Sequence, residues 1–110
     1  MIFFTLPLRT YSALNERIHW AKRARRVKAE RTAMGLAFPA GLKPPLVVRL
    51  VRIAPRILDD DNLRGALKAC RDSIAAKLGI DDGSDAVHWH YGQERGKPKE
   101  FAVRVEVTPR

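Results

Sequence analysis

A single cysteine, Cys70, is present among 110 residues. One thiol can form neither an intrachain disulfide nor a thiolate metal cage, which excludes the stapled secreted scaffolds and the cysteine-rich zinc modules. Long apolar runs are missing too. The apolar start, Met1 to Leu8, has no basic lead-in, is too short for a secretory core, and meets Arg9 and Thr10 without a small-residue cleavage site, so it reads as a strand. A cytoplasmic protein with no membrane partner is expected. Acid is the scarce charge: 12 Asp plus Glu stand against 21 Lys plus Arg, a formal charge of +9. The bases are not confined to one terminal arm, and an excess of that size and spread fits a nucleic-acid backbone better than an anionic membrane.

The length suits one domain with one packed core, and the 45% hydrophobic content is that of a folded chain rather than a basic tail. Ile2 to Leu8 reads as a strand with Ile2, Phe4, Leu6 and Leu8 on one face. From about Ala13 to Ala37 no proline interrupts a stretch of Ala, Arg, Lys and Glu. This predicts a long helix capped by Ser12, with Trp20, Ala24 and Val27 at helical spacing and Trp20 in the core. Pro39 to Pro45 breaks the chain, and Leu46 to Ile53 is a Val-rich second strand interrupted by Arg49 and Arg52. A second helix, about Asn62 to Leu78, carries the stripe Leu63, Leu67, Cys70, Ile74 and Leu78 and ends at Gly79. Cys70 on that stripe reads as a buried, inert thiol. Val87 to Gln93 is a third strand, Arg95 to Lys99 a hairpin connection, and Phe101 to Val107 a fourth strand of strict alternation. The order β-α-β-α-β-β predicts an α+β domain: a small mixed sheet of about four strands, two packed helices, and an antiparallel final strand pair.

Against the basic background, acid gathers at two places: Asp59-Asp60-Asp61 before the second helix, and Asp81-Asp82-Gly83 beyond its end. An Asp at a helix start is ordinary capping, and Asp-Gly is ordinary turn chemistry. Three adjacent carboxylates exceed what a cap requires, however, and they repel one another unless a cation or an arginine neutralises them. Asp59 and Asp61, two apart in an extended segment, are expected to point the same way, with Asp61 at or near the N-cap. The second acidic pair rejoins the first only if its loop folds over or the third strand runs beside the second. Lys68, seven residues after Asp61, and Arg64 supply positive charge on the same helix. Carboxylates holding a divalent cation that activates water, with a base offsetting charge on the phosphate, suit phosphodiester hydrolysis.

Asp-x-Asp-Asn-Leu opening a helix, with an Asp-Asp turn past its end, resembles the RusA family of Holliday junction resolvases. The early Leu-Pro segment, Asn15 and Trp20, and Trp89-x-Tyr91-x-Gln93 fall in the order that family shows, so the likeness spans most of the chain. The resemblance implies a homodimeric, magnesium-dependent endodeoxyribonuclease acting on branched four-way DNA, with Mn²⁺ as a possible substitute and Asp59, Asp61 and Asp82 as metal ligands. Asp60 or Asp81 would give outer support, and Asp81 is the alternative third ligand. Where the family often carries its catalytic lysine, four residues after the second aspartate, this chain has Gly65, which leaves Lys68 or Arg64 as the substitute.

The run Lys22, Arg23, Arg25, Arg26, Lys28 and Arg31 has only Glu16 and Glu30 near it, and it reads with Arg64 as a contact for DNA phosphates. His88 and His90 share a strand face without third and fourth ligands at zinc spacing, so they read as a polar face near DNA or a subunit contact. Trp89 and Tyr91 read as core or dimer contact. The other readings of the same residues are a non-catalytic DNA-binding protein on this scaffold, and a nuclease for other branched DNA or for RNA.

Overall fold

A computed structural model describes residues 1–11, 20–81 and 83–110. Its elements are β1 (Ile2–Leu6), α1 (Trp20–Ala37), β2 (Leu46–Ala54), α2 (Asp60–Leu78), β3 (Val87–Arg95) and β4 (Ala102–Pro109). The expected α+β fold is present, a four-stranded mixed sheet with two helices in the order β-α-β-α-β-β.

The strand order is β1-β4-β2-β3. β4 is antiparallel to both β1 and β2, so those two run in the same direction, and β3 is parallel to β2. The sheet is therefore three parallel strands with β4 inserted against their direction. The expected hairpin is corrected here: β3 and β4 run oppositely, but β2 lies between them, and the segment after Arg95 crosses the end of β2 rather than closing a turn. Pairing on β2 places β4 between β1 and β2, in the middle of the sheet, where Val103, Val105 and Val107 are buried; the outer edge of β3 would have left them at the sheet's rim.

Alternation along the central strands builds the core. Leu46, Val48 and Leu50 of β2 and Val103, Val105 and Val107 of β4 face Met34 of α1, Phe38 just beyond it, and Leu63, Leu67, Cys70 and Ile74 of α2. Phe4 of β1 meets Phe38 edge-on, with ring centroids 6.3 Å apart. The other sheet face is open and carries an ionic ladder: Glu106 accepts from Arg104 at 3.0 Å and lies 3.6 Å from Arg49, and Arg104 reaches Glu94 at 2.6 Å.

α1 departs from expectation on one point. Its buried residues are Glu30 and Met34, whereas Trp20 is 75% exposed and Val27 is exposed as well. With so few apolar side chains, the helix is oriented by its C-terminal half, where it packs on α2. There Ser73 Oγ donates to the Arg31 carbonyl at 2.6 Å, and one turn on Lys77 Nζ donates to the Gly35 carbonyl, so the helices lie side by side in the same direction. Ser12 and the other residues up to 19, which include the expected cap and first turns, lie outside the described residues.

α2 begins at Asp60, two residues before the expected Asn62. The N-cap is Asp59, not Asp61: it is extended, and its side chain accepts from the Asn62 backbone N–H. The C-cap is Gly79, as expected, at φ 73°, with its N–H donating to the Ala75 and Ala76 carbonyls. Cys70 is buried, and burial pushes its thiol up to about 12, consistent with an inert core residue. Among the described residues no helix is long and apolar enough to cross a membrane.

Candidate metal and nucleic-acid site

The acidic segment follows the carboxyl end of β2, and two side chains hold its approach. Gln93, next to Arg52 across the β2–β3 pairing, accepts from Leu58 N–H at 2.9 Å and donates to the Leu58 carbonyl at 2.7 Å. Arg52 donates to the Arg56 carbonyl at 2.7 Å. The backbone immediately before Asp59 is thereby fixed on both sides by strand residues.

Asn62 completes the cradle. Its backbone N–H donates to Asp59 Oδ1, and its side-chain amide donates to both carboxylate oxygens, each at 2.9 Å. These hydrogen bonds, the backbone one first, hold the Asp59 carboxyl below its ordinary value and outweigh the opposing effect of desolvation. A depressed folded-state value means the cap's contribution is present at and above the ordinary carboxylate range and is lost as pH falls through the lowered value. Asp59 is thus an oriented anion at neutral pH.

The three aspartates do not share one direction, because Asp60 and Asp61 are already helical. Successive helical residues turn by about 100°, so the two-residue alternation expected for Asp59 and Asp61 does not apply. Asp60 pairs with Arg64 at 3.3 Å, while Asp61 is exposed in the first turn on the face that also carries Gly65 and Lys68. Lys68 pairs with Asp72 at 3.1 Å. Both basic candidates are therefore held in exposed pairs on their own helix, of a kind that contributes little to stability and exchanges readily. Among the described residues no three His, Cys, Asp or Glu side chains come together as metal ligands.

The distance between the two acidic clusters is set by α2. Its 19 residues span about 28 Å. Asp59 to Asp61 stand at its N-terminus, while Asp81 follows Gly79 beyond its C-terminus, near where Ala86 accepts from Leu46 N–H at the start of β2. Asp82 lies outside the described residues. β3 does run beside β2, the condition named for bringing the clusters together. Because the pairing is parallel, though, the connecting helix carries the chain back the whole length of the strands, so Asp81 and the first cluster end up at opposite ends of one subunit.

A groove of about 600 Å³ joins those ends along the outer edge of β3, from Asp60 and Arg64, past Arg71 and Tyr91, to Gly83 and Ser84. Arg71 donates to the Tyr91 hydroxyl at 2.7 Å and lies 5.0 Å from the Trp89 ring centroid. Trp89 and Tyr91 are half-buried against the core, as expected; His88 and His90 are exposed and line the same groove. On α1, Lys22, Arg25, Lys28 and Arg31 form an exposed stripe at three-residue spacing, while Arg23 and Arg26 are half-buried, the latter 3.7 Å from the Tyr11 ring centroid. Sequence reasoning missed the placement of Arg9 and Arg52 at the end of the sheet that precedes Asp59. The signal was parity: Arg52 falls in register with the inward-facing Leu46, Val48 and Leu50, whereas Arg49 does not.

No family model matches the chain. An uncharacterized protein of Xylella fastidiosa (strain Temecula1) is similar to it, 33% identical over 78 residues that cover 62% of this chain and 51% of that protein, so the chain spans about half of that protein's length.

Proposed function

We propose that the protein is a homodimeric, magnesium-dependent endodeoxyribonuclease that cuts branched, four-way DNA. The observation that carries the reading is the oriented, ionised Asp59, fixed by Asn62 and by the Gln93 clamp on Leu58, beside the exposed Asp61 in a chain of charge +9. Hard carboxylate oxygens fit Mg²⁺, which keeps several waters and is commonly held by one or two protein carboxylates together with substrate phosphate oxygens. A bound magnesium ion would activate water toward the phosphodiester and stabilise the charge that develops on it. Asp59 and Asp61 would hold it, with Lys68 or Arg64 swinging from its helix pair to the phosphate, and with the basic stripe of α1 gripping the DNA arms.

The third ligand, Asp82, comes in this reading from a second subunit. β3 is an edge strand of nine residues, and an open edge of that length pairs readily with another copy. Antiparallel pairing of β3 with the partner's β3 about a two-fold axis reverses one α2 relative to the other. The N-terminal acids of one subunit then lie beside the C-terminal turn of its partner, at two equivalent sites.

The test is incubation of labelled four-way junction with purified protein. Nicked duplex is expected with Mg²⁺ or Mn²⁺ and not with EDTA; binding without product at any metal concentration would establish the non-catalytic reading, which Gly65 and the engaged states of Lys68 and Arg64 favour. Better turnover on flaps or RNA in the same assay would reassign the substrate.

Gly65 offers a gain-of-function check. A Cβ built there meets nothing within 4 Å, so a side chain fits without displacement. Gly65→Lys should raise helix stability by about 0.5–1 kcal/mol, read as a higher Tm, and should accelerate cleavage roughly tenfold or more by placing an ammonium one turn from Asp61. A stabilised variant that cuts no faster would leave the role with Lys68 or Arg64.

A further inference from the structure

Arg52 is 8% exposed, at an inward-facing position of β2 between Gln93 and Val103. One of its nitrogens donates to the Arg56 carbonyl, its Nε has no hydrogen-bond partner, and no carboxylate pairs with it among the described residues. A second cation bears on it. Burial, and then the charge of Arg9, lower the Arg52 pKa, so the protein has placed a guanidinium where its charged form is disfavoured twice over.

Arg9 is held by its flat faces, its guanidinium carbon 4.3 Å from the Phe101 ring centroid and 4.9 Å from that of Tyr11. Stacking of this kind leaves the N–H rim of the guanidinium available to an acceptor. Thr10, the next residue, is 5% exposed and its hydroxyl has no partner among the described residues. A buried guanidinium, an exposed one stacked beside it and unmatched buried donors, with no carboxylate paired to either arginine among the described residues, make a site short of one anion.

We propose that Arg52 and Arg9 form a subsite for a phosphate group, the phosphodiester of a nucleic-acid backbone held three residues from Asp59 through the Arg52–Arg56 contact. The identity of the phosphate as DNA rests on the nuclease reading; the anion site itself does not. Bidentate guanidinium donors match phosphate geometry, and a phosphate fixed there lies on the approach to the acidic end of α2. Arg52 is then a binding residue, and it also positions the loop before Asp59.

The experiment compares melting in sodium phosphate and in sodium chloride at equal ionic strength, for the natural protein, Arg52→Met and Arg9→Gln, all without divalent metal. Saturating phosphate should raise Tm of the natural protein by about 5 °C. Arg52→Met should melt at or above the natural protein in chloride and show no rise in phosphate; Arg9→Gln should show a reduced rise, and it serves alone if Arg52→Met does not fold. No phosphate response in the natural protein, or an undiminished one in both variants, overturns the site. Duplex binding measured in EDTA across salt concentrations supplies the second arm, where loss of one contact lowers the slope of log K against log salt by about 0.9. A phosphate response with an unchanged duplex slope assigns the subsite to free phosphate or a small phosphoester. Because neither arm requires cutting, a protein that passes both and cleaves nothing retains this site and loses the nuclease reading.

Discussion

Asp61→Asn should reduce junction cleavage about a thousandfold or more while junction binding in EDTA stays the same or tightens. The substitution keeps the side chain's size and removes its charge, and its position makes the result interpretable. Asp61 is exposed in the first turn of α2 but is not the cap, so the helix start survives its loss. Asp59→Asn is the poorer experiment. It disturbs the bonds from Asn62 together with any ligand role, and loss of activity there would mix a frayed helix with a missing metal ligand. Single-turnover cleavage, gel-shift binding and Tm of Asp61→Asn, taken together, separate the two causes: cleavage should fall with Tm nearly unchanged. Cutting at the natural rate would remove Asp61 from the mechanism. Tighter binding is the expected side effect, because a negative charge beside the DNA phosphates has gone.

The elements legible from sequence were those in which local chemistry and burial agree. Val103, Val105 and Val107 alternate and are buried; Leu63, Leu67, Cys70 and Ile74 form a helical stripe and are buried; Gly79 terminates α2 in the left-handed conformation. What failed depended on partners distant in the chain. β4 inserts between β1 and β2, and nothing local to residues 96–101 distinguishes a hairpin from a crossing of the sheet end. Trp20 has helical spacing with Ala24 and Val27, but α1 is rotated by its contact with α2 at Arg31 and Gly35, which turns Trp20 outward. The start of α2 was displaced because the apolar stripe begins at Leu63, whereas the hydrogen bonds that initiate the helix are made by the polar pair Asp59 and Asn62. In the candidate site, the residue types of the acidic segment were readable and their directions were not. The supports, Gln93 on Leu58 and Arg52 on Arg56, join β3 and β2 to one loop and exist only after the parallel pairing forms.

Subunit mixing should restore activity to two inactive variants. In the proposed assembly each site takes Asp59 and Asp61 from one subunit and Asp82 from the other, because 19 helical residues, about 28 Å, separate the clusters within a chain. Asp61→Asn and Asp82→Asn homodimers should each be inactive. In a mixed dimer, both substitutions fall in the same site: the subunit carrying Asp61→Asn meets the subunit carrying Asp82→Asn there, while the other site receives natural Asp61 from one chain and natural Asp82 from the other. After denaturation and refolding at equal concentrations, about half of the dimers are mixed by random pairing, each with one intact site. The mixture should therefore nick junctions at roughly a quarter of the natural site concentration, cutting one strand per dimer rather than two. If each site were built within one chain, every site in the mixed dimer would carry one substitution and the mixture would stay inactive. Recovery thus reports the route of the chain through α2 as directly as it reports the ligands, and a silent mixture of two folded, dimeric variants would remove the shared site from the proposal.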